Sequence, residues 1–108
     1  NLILDEIGMP SAVVMRHASP HFLHVFAGDG YASGYYSYMW SEVLDADAFR
    51  AFEETGDPFN GEIAHKLKTH IYAVGGSVKE RDAYVAFRGR MPDVKGLLTK
   101  RGFEADAA

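Results

Sequence analysis

Glycine punctuates this chain so regularly that only short helices fit between the stops. Gly8, Gly56, the Gly75-Gly76 pair, Gly89 and Gly102 each follow a stretch whose apolar residues recur at helical spacing, and a glycine just past a helix ends it at little steric cost. Asn1 to Ile7 reads as the closing turns of an amphipathic helix, so the chain is expected to begin inside a larger fold. Met9-Pro10 then breaks the chain. The apolar run from Ser11 to Met15 is short enough to be a strand or an extended connector. A helical pattern resumes at about Tyr31, with Tyr35, Tyr38, Met39, Glu42, Val43 and Ala46 in a 3.6-residue period. Asp45 or Asp47 is expected to cap a continuation over 48–55 that turns Phe49 and Phe52 inward. The next helix, from about Glu62 to Ala73, turns Ile63, Leu67, His70, Ile71 and Val74 inward. Ser77 with Glu80 has capping-box spacing, opening a helix to about Phe87 that buries Ala83, Tyr84 and Phe87. Pro92 starts the last, Asp93 to Lys100, with Val94, Leu97 and Leu98 inward. Glu104 to Ala108 is expected to fray. The predicted fold class is all-α: an array of short helices in a single unit, 1–108.

With 108 residues there is room for one domain at most. The absence of cysteine excludes a disulfide scaffold, thiolate catalysis and a thiolate metal site, and fits a reducing, cytoplasmic setting. A net charge of -4 argues against a nucleic-acid or anionic-membrane partner. Lys66, Lys68, Arg88, Arg90, Lys95, Lys100 and Arg101 interleave with acids, as on a solvated helix surface. No apolar run approaches the roughly 20 residues of a membrane span, and no basic-then-apolar signal segment is present.

The chemistry-bearing residues crowd one region. Four of the six tyrosines, Tyr31, Tyr35, Tyr36 and Tyr38, fall within eight residues beside Gly28, Gly30, Gly34 and the single Trp40. A phenol joins an apolar ring to a neutral donor, a combination suited to gripping a peptide or stabilising an oxyanion. On a helix, Tyr31, Tyr35 and Tyr38 would share one face at i, i+4 and i+7, with Tyr36 pointing elsewhere. Such spacing serves core packing or a binding surface. Gly34 inside the pattern costs about 1 kcal/mol against alanine and suggests a close backbone approach. His17, His21 and His24 lie within eight residues and invite a metal reading, but Pro20 breaks their shared face and no carboxylate lies between them. The segment 16–30 reads as a functional loop. No phosphate-binding, nucleophile-elbow or dinucleotide motif occurs.

The run His24-Val25-Phe26-Ala27-Gly28-Asp29-Gly30-Tyr31-Ala32-Ser33-Gly34-Tyr35-Tyr36-Ser37-Tyr38-Met39-Trp40-Ser41-Glu42-Val43 resembles the C-terminal signature of the thimet oligopeptidase family of zinc metallopeptidases, and within it the bacterial oligopeptidases and peptidyl-dipeptidases. Ile7-Gly8-Met9-Pro10, Asp47-Ala48-Phe49, Gly75-Gly76-Ser77, Phe87-Arg88-Gly89-Arg90-Met91-Pro92 and Leu97-Leu98 to Arg101-Gly102-Phe103 resemble the family's further landmarks. The resemblance implies the C-terminal part of a larger, mostly helical zinc peptidase acting on short peptides. By motif position, Tyr38 is the implied catalytic oxyanion donor. His24, Tyr31 and Tyr35 are the implied substrate-binding residues. The family's His-Glu-x-x-His zinc motif does not occur in these residues, so zinc is expected in the intact enzyme, none on this chain, and no activity from this chain alone. The implied partners are short peptides and the rest of the peptidase. Apolar surface left uncovered in the isolated chain is expected to drive homomeric association. The competing reading is an autonomous small helical module with a ligand or metal site on His17, His21 and His24.

Overall fold

The computed structural model describes residues 2–103, and the chain divides into two compact units, Asn1–Tyr36 and Ser37–Ala108. Every regular element among the described residues is helical, as the sequence pattern predicts. No helix there is long and apolar enough to cross a membrane. The expected fraying of Glu104 to Ala108 lies outside the described residues.

In the first unit, helix α1 spans Leu2–Glu6. It ends as its glycine dictates: Gly8 takes φ 76°, the Met9 amide donates to Leu4 O (2.9 Å) and the Gly8 amide to Asp5 O (3.1 Å). Those two bonds satisfy carbonyls that the last turn leaves unpaired. Residues 11–15 form a turn and a connector, the second of the two conformations open to that run. Two short 3-10 turns follow, Ser19–His21 and Leu23–Val25, with Pro20 early in the first, where its missing amide costs nothing. Residues 31–36 do not begin a helix. They run through successive turns, held in part by the Gly34 amide donating to Tyr31 O at 3.3 Å. The close approach expected at Gly34 is present, since a side chain there would stand 3.1 Å from Gly30 O.

The second unit is built on α2, a single 17-residue helix, Ser37–Glu53. The break expected at Asp45 or Asp47 is absent. Asp47 sits mid-helix with 0% exposure, because partners from elsewhere in the unit neutralise it. Phe49, expected inward, is 50% exposed. Helix α3, Gly61–Leu67, starts where Asn60 caps it, its Oδ1 accepting from the Glu62 and Ile63 amides at 3.1 Å each. It runs into a π-helical turn, Lys68–Tyr72, closed by an Ala73 to Lys68 O bond of 2.8 Å. Ile63, Leu67, His70, Ile71 and Val74 are half-buried, on the predicted inner face.

Helix α4, Glu80–Arg88, buries Ala83, Tyr84 and Phe87, the predicted set. Its capping box does not form. Ser77 lies two residues before the cap position, Lys79, and its hydroxyl donates backward to Val74 O at 2.6 Å. Helix α5, Lys95–Lys100, buries Leu97, while Val94, expected inward, precedes the helix and is 55% exposed.

The core is small: Ala46, Ala51, Ala83, Tyr84, Phe87 and Leu97. Small residues let backbones approach, and α5 lies directly on α2. A Cβ on Gly96 would stand 3.0 Å from Arg50 Cδ and 3.1 Å from the carbonyl carbon and oxygen of Ala46. The flexible arginine could yield, but the α2 backbone could not. Gly96→Ala is therefore expected to destabilise the protein by about 1–3 kcal/mol, read as a lowered urea midpoint at constant slope. An unchanged midpoint would show that the two helices can separate freely.

Candidate functional site

Three of the residues singled out from sequence converge in the first unit. The ring of Tyr35 meets Phe22 at 4.6 Å (77° between planes), Tyr31 at 5.5 Å (68°) and His24 at 5.6 Å (64°). His24 also lies edge-on to Tyr31, at 6.2 Å and 62°. These are the distances and tilts at which ring quadrupoles attract. Tyr31 and Tyr35 are thus neighbours, though through tight turns rather than on one helical face. Tyr35 is half-buried, while His24 and Tyr31 lie at the surface. The cluster offers an apolar wall edged with imidazole and phenol groups, chemistry suited to a peptide's carbonyls and side chains.

Tyr38 belongs to the second unit, in the first turn of α2, where it is 55% exposed. The helical stripe joining it to Tyr31 and Tyr35 does not exist, because the helix starts only at Ser37.

Two of the three histidines, His17 and His24, flank the Phe22 ring, a contact that His21 does not share among the described residues. His17 stacks on Phe22 (6.0 Å, 10°), His21 ends the first 3-10 turn, and His24 lies in the second, against the tyrosines. Among the described residues no group of three or more His, Cys, Asp or Glu side chains is placed to hold a metal ion. These residues do not fit a zinc site.

The second unit holds a charge cluster that the sequence did not announce. Asp47 Oδ2 accepts the Tyr84 hydroxyl at 2.7 Å, and its two oxygens accept Arg90 at 2.6 and 3.3 Å. Arg88 Nε donates to Asp47 O at 3.3 Å and lies 3.6 Å from Oδ2, while its terminal nitrogens take Glu54 in a fork of 2.8 and 2.5 Å. Burial alone would push the Asp47 carboxyl up, but the hydrogen bonds from Tyr84 and Arg90, with the charges of Arg90 and Arg88, outweigh it and hold the group below its ordinary range. Burial, and then the bond to Asp47, push the Tyr84 phenol far above its ordinary value. These groups stabilise one another and are spent on structure. Asp45, by contrast, is exposed and pairs only loosely with Lys100, at 3.5 Å.

Removing the carboxylate would take that acceptor from the buried Tyr84 hydroxyl and from the Arg90 guanidinium, while Arg88 would keep its fork with Glu54, so Asp47→Ala is expected to cost about 1–3 kcal/mol. The pH dependence follows from the sign of the shift. A carboxyl that ionises more readily folded than unfolded contributes stability above the unfolded value of about 3.9. That contribution is lost as pH falls through the lower, folded value. Urea midpoints of the wild type should therefore drop below about pH 4, and Asp47→Asn should show a shallower drop. Parallel acid limbs would contradict this assignment.

The family model described as Peptidase family M3 matches residues 4–103. The chain is 47% identical over 100 residues to oligopeptidase A of Haemophilus influenzae, covering 93% of this chain and 14% of that protein. It is 48% identical over 86 residues to oligopeptidase A of Escherichia coli, covering 79% of this chain and 12% of that protein. It is 35% identical over 103 residues to the dipeptidyl carboxypeptidase of Salmonella typhimurium, covering 95% of this chain and 15% of that protein. The chain thus spans less than a sixth of the length of each of these relatives.

Proposed function

This chain belongs to peptidase family M3, and on that premise we propose that residues 1–108 form one piece, the C-terminal substrate-binding portion of a cytoplasmic zinc metallopeptidase that hydrolyses short peptides. The observation that supports this most is the convergence of His24, Tyr31 and Tyr35 in one aromatic cluster, at the motif positions that resemble the family's substrate-gripping residues. His24, Tyr31 and Tyr35 hold the peptide. Tyr38 supplies the oxyanion donor.

When water adds to a peptide carbonyl, negative charge develops on the carbonyl oxygen. A preplaced phenolic O–H directed at that oxygen stabilises the transition state more than the ground state. Zinc belongs to the remainder of the enzyme, and the chemistry assigned to this chain is that of its own phenols and imidazole. Exposed Leu2, Ile3, Ile7, Val14, Trp40 and Phe59 support a second element of the proposal. These side chains are surface for the rest of the peptidase to cover, and the isolated chain hides part of it by pairing with itself.

In the full-length protein, Tyr38→Phe is expected to lower turnover of a quenched-fluorescent peptide by about 100-fold to 1000-fold with little change in binding. Residues 1–108 alone, with zinc added, are expected to cleave nothing. Undiminished turnover in the variant would remove Tyr38 from the mechanism, and cleavage by the isolated chain would overturn the division of labour.

A further inference from the structure

Among the five rings His17, Phe22, His24, Tyr31 and Tyr35, Phe22 alone carries no polar atom, yet its ring stands only 4.6 Å from Tyr35. Its second neighbour is His24 at 5.7 Å, and its third is His17, stacked at 6.0 Å with 10° between planes. Phe22 is half-buried although His21 and Leu23 on either side are exposed. The backbone holds it from both directions. At φ -84° and ψ 76° Phe22 separates the two 3-10 turns; its amide donates to Ser19 O at 3.2 Å and its carbonyl accepts from the Val25 amide at 3.2 Å.

A benzyl ring in this place cannot bond a peptide's polar groups, and it cannot compete for the hydroxyl of Tyr35 or the nitrogens of His24. It can restrict how both rings turn. We infer that Phe22 is a positioning residue for substrate binding: its edge-on contact with Tyr35 and its contact with His24 hold those two rings in the orientation that receives the peptide. Part of the ordering cost of binding is then met during folding. This inference rests on the proposed substrate-binding role of His24 and Tyr35.

The test is steady-state kinetics of the full-length enzyme on a short quenched-fluorescent peptide, with Phe22→Leu, Phe22→Tyr, Tyr35→Ala and the double variant Phe22→Leu with Tyr35→Ala. Leucine keeps most of the apolar volume, so the chain stays folded while the aromatic edge is lost. Phe22→Leu should raise KM about 10-fold with kcat nearly unchanged, since the loss falls on binding rather than on the chemical step. Phe22→Tyr should restore KM. In the Tyr35→Ala background Phe22→Leu should raise KM by less than it does in the wild type, because only the His24 contact remains, an outcome that a merely structural role would not give. A wild-type KM in Phe22→Leu, or a Phe22 effect undiminished once Tyr35 is gone, would overturn the positioning role while Tyr35→Ala still raises KM. A wild-type KM in Tyr35→Ala would instead sink the underlying substrate-binding role of Tyr35, and the positioning role with it.

Discussion

The carboxylate of Asp47 is the interaction on which the second unit depends. Among its described residues the apolar core is six side chains, three of them alanines, too little area to fix the helices by burial alone. Asp47 lies at the centre of α2 and gathers a hydroxyl from α4 and a guanidinium from just beyond it, while Arg88 returns to Glu54 past the end of α2. Two carboxylates meet two guanidiniums, so the cluster is neutral. No buried side-chain polar atom among the described residues lacks a partner. Such a cluster adds less to stability than its Coulomb attraction suggests, but it is costly to disturb and selects one arrangement of its partners.

The same helix carries Tyr38 nine residues before Asp47, about 13.5 Å along the axis. Fixing the middle of α2 therefore fixes the base from which that phenol projects. This gives a physical meaning to the landmarks by which the chain resembles its family. Asp47-Ala48-Phe49 and Phe87-Arg88-Gly89-Arg90-Met91-Pro92 are separated in sequence, yet they contain both ends of one ion cluster around the buried Asp47.

Local signals in the sequence carried most of the fold. Gly8, Gly56, Gly75, Gly89 and Gly102 all take positive φ, at the stops read from spacing, and the inner faces of α3 and α4 follow their period. Non-local chemistry was not legible. A carboxylate amid a helical pattern ordinarily marks a cap or a solvated face, and the groups that bury Asp47 lie 37 to 43 residues away. The tyrosine stripe failed for another reason. The period runs through Gly34, whose cost to a helix of about 1 kcal/mol the local apolar spacing does not offset, and turns replace the helix over 31–36. Tyr31 and Tyr35 still meet, as residues four apart do in either conformation when the chain turns tightly. Phe22 carried no signal at all, since a lone phenylalanine in a loop has no period to match.

Native-state hydrogen exchange on the full-length protein, wild type against Asp47→Asn, tests the central claim most directly. If Asp47 holds the second unit together, the variant loses protection together across the middle of α2, its N-terminal part from the second turn on, and the hydrogen-bonded amides of α4. Loss confined to the amides next to residue 47, with α4 and the second turn of α2 protected as before, would contradict it.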